Sequence, residues 1–234
     1  MLHFRLFGVP VAIHPSVWIV LAILGGGLHV NNAAGLLPIG LFVIAGFISL
    51  LAHEFGHALV GKWLCGNQVS IELAYMGGAC HFDHRVSRGK EALRALAGPV
   101  ASLLVGCVFV WLLSFYLYDP SGLWQVVWSI LTVSNDSIVV NADMPISQDF
   151  LSFIRASILV AGWWSAFNLL PVFPMDGGHV LNSLTGSYRV TSVVGLLVGG
   201  GLALFLLSCG LIFAALILGY FAFINLRILQ SLPR

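Results

Sequence analysis

The sequence predicts an all-α polytopic membrane protein of about six transmembrane helices, with a small β-hairpin or re-entrant element beside a buried cluster of ionisable residues. Three observations predict it. First, the 234-residue chain is 59% hydrophobic and only 8% charged, where soluble domains carry about 25% charged residues; its mean hydropathy is +0.99. So few charges cannot cover the surface of a water-soluble fold. Second, the apolar residues fall in runs near the length of about 20 that a spanning helix needs. Third, basic residues are unequally shared between the connecting loops.

The elements follow in order. Phe4 to Ile13 alternates weakly and contains β-branched residues, which predicts a short strand or interfacial segment rather than a signal peptide. Spanning helices are predicted over 16–30, 35–61, 94–118, 151–171, 190–208 and 210–229. The last two are separated only by the region around Ser208 to Gly210, so close that they could be misread as one kinked span. Residues 66–84 alternate through Val69, Ile71, Leu73 and Tyr75 and then reach Gly77-Gly78, which reads as a hairpin or re-entrant strand pair. Irregular backbone near a membrane needs protein or water to satisfy it, so this piece is expected over a cavity. The loop 119–150 is acidic, with Asp119, Asp136, Asp143 and Asp149, and is expected to hold an amphipathic piece.

The loop 62–94 carries Lys62, Arg85, Arg88, Lys90 and Arg94, whereas 119–150 carries no Lys or Arg. With six spans, Arg5, Arg189, Arg227 and Arg234 share the side of the 62–94 loop, and Arg155 alone opposes them. Both termini are therefore expected in the cytoplasm. The net charge of +1 argues against a nucleic-acid partner. Four scattered cysteines, 65, 80, 107 and 209, form no Cys-x-x-Cys pair and read as small apolar fillers.

The chemistry concentrates in His53-Glu54-Phe55-Gly56-His57. Two histidines four residues apart on a helix share one face. That spacing suits two ligands of one zinc ion, with Glu54 between them as a base for water. Ionisable groups at mid-helix cost about 2.5–3.5 kcal/mol each on insertion scales and mark function. With Lys62 as the first charge beyond the span, His57 lies about 7 Å and His53 about 13 Å inside it at about 1.5 Å per residue. The alternative is a trio of polar groups sharing hydrogen bonds, but the neighbours Ala52, Phe55, Gly56 and Ala58 offer no partners.

A catalytic zinc takes a third protein ligand. Asp176 is the best candidate. Pro171 and Pro174 interrupt the helix before it and Gly177-Gly178 permits a tight turn after it. His179 is the runner-up, and an N-cap is the bland reading of Asp176. His81-Phe82-Asp83-His84 lies in a charged loop, where solvated histidines are ordinary; His14 and His29 sit near span ends. Trp163 and Trp164 read as packing or interfacial aromatics.

His53-Glu54-x-x-His57 in one span, followed by Asn168-Leu-Leu-Pro171-x-x-Pro174-x-Asp176-Gly177-Gly178 in a later one, resembles the site-2 protease family of intramembrane zinc metalloproteases. The opening FGVPVAIHPS is similar to members without a PDZ domain, and the resemblance runs from about residue 4 to 185. It implies one catalytic Zn2+ held by His53, His57 and Asp176, and Glu54 as general base. It implies a single transmembrane metalloprotease domain over 1–234, a minimal core without PDZ or cystathionine-synthase-like domains. It implies substrates that are single-span membrane proteins, such as anti-sigma factors or membrane-held transcription regulators, in a prokaryotic cytoplasmic membrane. Asn168 matches a family asparagine for which a substrate contact is implied. Ala97-Gly98-Pro99-Val-Ala-Ser102 is similar to a family Gly-Pro-x-x-Asn element, with Ser102 in place of Asn. The broken segment around Pro171 and Pro174, and the hairpin at Gly77 and Gly78, would lend backbone groups to an extended substrate. A transporter or an inactive binding relative is the competing class. The near absence of ionisable groups in 190–229 disfavours the first, and the presence of Glu54 disfavours the second.

Overall fold

In the computed structural model the described residues are 1–233 except 67–68, 76, 83–85, 118–119 and 135–146. Asp83, His84, Arg85, Asp119, Asp136, Asp143 and Arg234, which belong to the loop and charge patterns above, lie outside them.

The chain opens with a hairpin of β1 (Leu2–Leu6) and β2 (Val9–Ile13), turning at Phe7 and Gly8 with φ of 49° and 75°. The expected single N-terminal strand is thus two. β3 (Val69–Ala74) and β4 (Gly77–Phe82) form the second hairpin, and β2 pairs in parallel with β3 to give one sheet of order β1-β2-β3-β4. Val9, Val11, Ile13, Val69, Ile71 and Leu73 alternate onto one face and bury against Leu50, Phe55 and Ala58 of the first long helix. The period-two pattern thereby seats the sheet beside the His-Glu-x-x-His turn, with β4 at the sheet edge.

Five helices among the described residues are long and apolar enough to cross a membrane. They are α2 (Leu36–Cys65), α3 (Arg88–Ser114), α5 (Gln148–Asn168), α7 (Tyr188–Ser208) and α8 (Ile212–Ser231). The first expected span, 16–30, forms only α1 (Ser16–Leu24) and a 3-10 turn over Gly27–His29. At about 1.5 Å per residue α1 is about 13 Å long, too short to cross alone. Gly25, Gly26 and Gly27 end it, and Gly26 takes φ of 93°, a left-handed conformation that glycine adopts freely. α2 runs past its expected end to Gly66, whose φ of 90° closes it. The amphipathic piece of the acidic loop is α4 (Leu123–Leu131), which packs Val127 and Ile130 on α5. The region 190–229 is two helices, α7 and α8, turned at Gly210 (φ 77°) and packed on each other.

α2, α3 and α5 form the central bundle, and α3 buries a stripe of small residues, Ala95, Gly98, Pro99, Ser102 and Gly106, within it. Small residues let membrane helices approach closely. A Cβ on Gly56 of α2 would lie 2.2 Å from the Ala97 carbonyl oxygen of α3. Ser165 of α5 donates to Pro99 O at 3.1 Å. α6 (Asp176–Thr185) is short and packs between α3 and α7. The high content of apolar helix and the small sheet make this an integral membrane fold.

Candidate metal centre

α2 presents His53, Glu54 and His57 on its inward side, all less than a tenth exposed. α5 stops at Asn168, because Pro171 and Pro174 cannot continue the helical hydrogen-bond ladder. The segment then turns back through Met175 N donating to Val172 O at 2.8 Å. Asp176 follows as the first residue of α6. This return places its carboxylate between the two imidazoles: Oδ2 is 3.0 Å from His53 Nε2 and Oδ1 is 3.3 Å from His57 Nε2. The two Nε2 atoms are 3.1 Å apart.

The proton positions follow from the partners. His57 Nδ1 lies 2.8 Å from the Arg94 carbonyl oxygen, which only accepts, so Nδ1 carries the hydrogen. His53 Nδ1 lies 3.1 Å from Ser102 Oγ, and that hydroxyl donates to Gly98 O at 3.3 Å. His53 Nδ1 therefore donates as well. Each ring then turns an Nε2 lone pair toward the other and toward Asp176. Asp176 Oδ2 is buried without a hydrogen-bond partner. Three acceptor atoms that converge in this way form a group that could hold a metal cation.

The donor set fits zinc. Bonds of about 2.0–2.2 Å in a tetrahedron give donor separations of about 3.3–3.6 Å, slightly longer than the 3.0 and 3.3 Å from the two imidazoles to the two Asp176 oxygens and the 3.1 Å between the imidazoles. His53, His57 and Asp176 are the one group among the described residues whose donor atoms converge in this way. The anchored Nδ1 atoms fix ring orientation, as outer partners of metal-bound histidines do.

The site opens into a cavity of about 790 Å3. Glu54 faces it beside β4, and a Cβ on Gly78 would stand 2.3 Å from Glu54 Cδ. Asn168, Pro174, Gly77 and Gly78 line it; Pro171 does not. Asn168 Nδ2 donates to Trp164 O at 2.9 Å, which leaves its carbonyl oxygen for the cavity. α8 closes the far side with Leu216, Ile217, Tyr220 and Phe221. Cys80 of β4 also lines the cavity; burial, then the Glu54 charge, pushes its thiol up to about 12 against the pull of Arg94.

His179 lines the cavity and packs edge-on to Phe173 at 5.2 Å, but it stands outside the converging group. Burial holds it below the ordinary histidine range. His81 pairs with Glu72 at 3.6 Å on the exposed sheet face. Trp163 is half exposed and donates to Leu131 O at 2.8 Å, whereas Trp164 packs edge-on to His53 at 6.3 Å. Sequence reasoning missed the Arg94 carbonyl and left the role of Ser102 open. No side-chain pattern announces a backbone acceptor.

The model of peptidase family M50 matches residues 41–208. The zinc metalloprotease MJ0392 of Methanocaldococcus jannaschii is 25% identical over 218 residues, covering 92% of this chain and 55% of that protein. The putative zinc metalloprotease sll0528 of Synechocystis sp. is 26% identical over 218 residues, covering 88% of this chain and 50% of its own. The chain thus spans about half the length of these relatives. The solved site-2 protease from Methanocaldococcus jannaschii superposes with a TM-score of 0.57 at 22% identity, over 100% of this chain and 97% of that one, which establishes a shared fold. The resemblance to the site-2 protease family is borne out, and zinc is the ion that family and donor set jointly imply. With the family model matching most of its length, this chain belongs to peptidase family M50.

Proposed function

We propose that the chain is an intramembrane zinc endopeptidase that cleaves the transmembrane segments of single-span membrane proteins. One observation carries the reading: Glu54, on the same helix as two convergent imidazoles, faces the same cavity as they do, together with an edge strand and a proline-broken segment. His53, His57 and Asp176 would hold the zinc, which when present supplies Lewis acidity to a scissile carbonyl and acidity to water. Glu54 takes a proton from water as its oxygen adds to the carbonyl carbon. The same carboxyl then delivers that proton to the amide nitrogen as the C–N bond breaks.

A substrate helix hides its peptide bonds and must be extended first. β4 is the edge strand of the described sheet, with Gly77 and Gly78 against the cavity, and its outer side is open to strand addition by an extended segment. Asn168 and Pro174 face it from the other side, and the Asn168 carbonyl oxygen would receive a substrate N–H. Pro171 acts indirectly, by breaking the helix that would otherwise continue from α5. Lys62, Arg88, Lys90 and Arg94 gather at one end of α2 and α3. This supports a site nearer the cytoplasmic face of a prokaryotic cytoplasmic membrane, with the C-terminus on that side after five crossings rather than both termini after six. Membrane-held regulators such as anti-sigma factors fit the single-span class.

The test is Glu54→Gln in the full chain, with zinc content and cleavage of a model single-span substrate measured together. Zinc should remain and cleavage should fall by at least about 10^2-fold. Full cleavage in that variant would end the proposal. Membrane proteins that accumulate intact in cells carrying it would name the substrates.

A further inference from the structure

We infer that Asn225 of α8 is a positioning residue for Asp176, acting through the carbonyl of Phe173. α8 buries the Asn225 amide completely, at 0% exposure, in a mostly apolar helix whose other buried residues are Ala215, Leu218 and Ala222. An amide in such a place is costly unless its hydrogen-bonding groups are used. Asn225 Nδ2 donates to Phe173 O at 2.9 Å across 52 residues, and to Phe221 O at 2.8 Å within its own helix. Its Oδ1 is buried without a partner. The donor half of the amide is therefore what the fold employs.

Phe173 O needs that donor. It lies in the segment where helix is impossible and Pro174 offers no N–H. The hydrogen bonds within the segment end on Leu170 O, Val172 O and Met175 O instead. The Phe173 ring is wedged between His179 at 5.2 Å and Tyr188 at 5.9 Å. A Cβ on Gly178 would lie 2.8 Å from Phe173 N. Fixing the Phe173 carbonyl thus fixes a closely packed strip from Val172 to Gly178, and Asp176 projects from the middle of it. α7 is shaped to admit the amide, since a Cβ on Gly195 would stand 2.4 Å from Asn225 Oδ1. The helix that walls the cavity with Tyr220 and Phe221 therefore also sets the third ligand.

This inference rests on the metal-site reading, and its test separates the two. Cobalt(II) is titrated into the metal-free full chain in detergent, and both affinity and visible d–d absorption are recorded. Asn225→Ala should weaken cobalt binding by about 10-fold, the size of effect that outer partners of metal ligands have, and should alter the absorption bands. Ser192→Ala removes a buried, unpartnered hydroxyl from the neighbouring helix and should change neither. If Asn225→Ala fails to fold, Asn225→Ser, whose hydroxyl cannot reach Phe173 O, is expected to show the same shift. Affinity and spectrum equal to the parent, or equal losses in Ser192→Ala, would overturn the inference. A parent chain that binds no cobalt would overturn the metal site itself.

Discussion

Gly98 of α3 lies directly against the His57 imidazole of α2: a Cβ built on it would stand 2.2 Å from His57 Nε2 and 2.8 Å from His53 Nε2. Only a residue without a side chain leaves the two imidazoles room to converge. Gly98→Ala should therefore turn at least one ring away and abolish stoichiometric zinc retention. The helix itself should tolerate alanine, which is favoured by about 1 kcal/mol over glycine in a helix interior. Zinc analysis of the purified variant, beside its helical circular dichroism, checks both halves.

Asp176 is the member of the candidate metal group furthest from the other two in sequence, and its carboxylate spans both Nε2 atoms. Asp176→Asn keeps the shape and removes the charge that draws a divalent ion into a buried site. Zinc should be lost to a chelator at concentrations that leave the parent loaded. Unchanged retention in that competition would point to another third ligand.

Ser102 ties His53 Nδ1 at 3.1 Å and is 0% exposed. Ser102→Ala should leave the ring free to swing and weaken zinc binding by about 10-fold, at the lower end of outer-partner effects. Cleavage measured at saturating zinc should recover more fully than cleavage measured without added zinc. The same activity in both conditions would mean that Ser102 has no part in holding the ligand.

The convergence of His53 and His57 on one buried face was legible because two histidines at helical spacing share a face, and in an apolar run they are costly to bury without partners. Asp176 was legible because prolines and glycines bracket it. The β3–β4 hairpin was legible from period two. What escaped the sequence was long-range. The parallel pairing of β2 with β3 joins residues about 60 apart, such as Val11 and Ile71, and no local pattern encodes it. The 16–30 run reads as a span by hydropathy, yet three consecutive glycines end the helix at Leu24. Asn225 was passed over because a search for ionisable groups does not register a neutral amide. Gly98 stood out as part of the Gly-Pro-x-x element, but nothing in that pattern says that two imidazoles pack against it.

Cys80 faces the cavity with its thiol pushed up to about 12, chiefly by burial and then by the Glu54 carboxylate. The reactive species is the thiolate, and it is scarce until the pH approaches that value. In metal-free protein at pH 8, maleimide labelling of Cys80 should be at least about 100-fold slower than that of a free thiol near 8.5. Its rate should rise about tenfold per pH unit through the alkaline range. Glu54→Gln removes one cause of the shift, so labelling should quicken in that variant. A rate indifferent to Glu54 would separate the thiol from the base.

Gly77 and Gly78 are adjacent on β4, and both face the cavity, but they stand in different surroundings. A Cβ on Gly77 meets nothing within 4 Å. A Cβ on Gly78 would lie 2.3 Å from both Cγ and Cδ of Glu54, so alanine there must push the carboxylate aside. The base is displaced while His53, His57 and Asp176, which approach from α2 and α6, keep their places. Gly78→Ala should thus retain zinc and lose cleavage, chiefly in kcat, by about 10^2-fold or more. Gly77→Ala should bind zinc and cleave within about threefold of the parent, as substitutions that meet no neighbour do. The pair isolates the position of Glu54 from the backbone of the edge strand. If strand addition alone accounted for these glycines, both variants would suffer alike and in KM; if Glu54 must stand where Gly78 lets it stand, only one will fail.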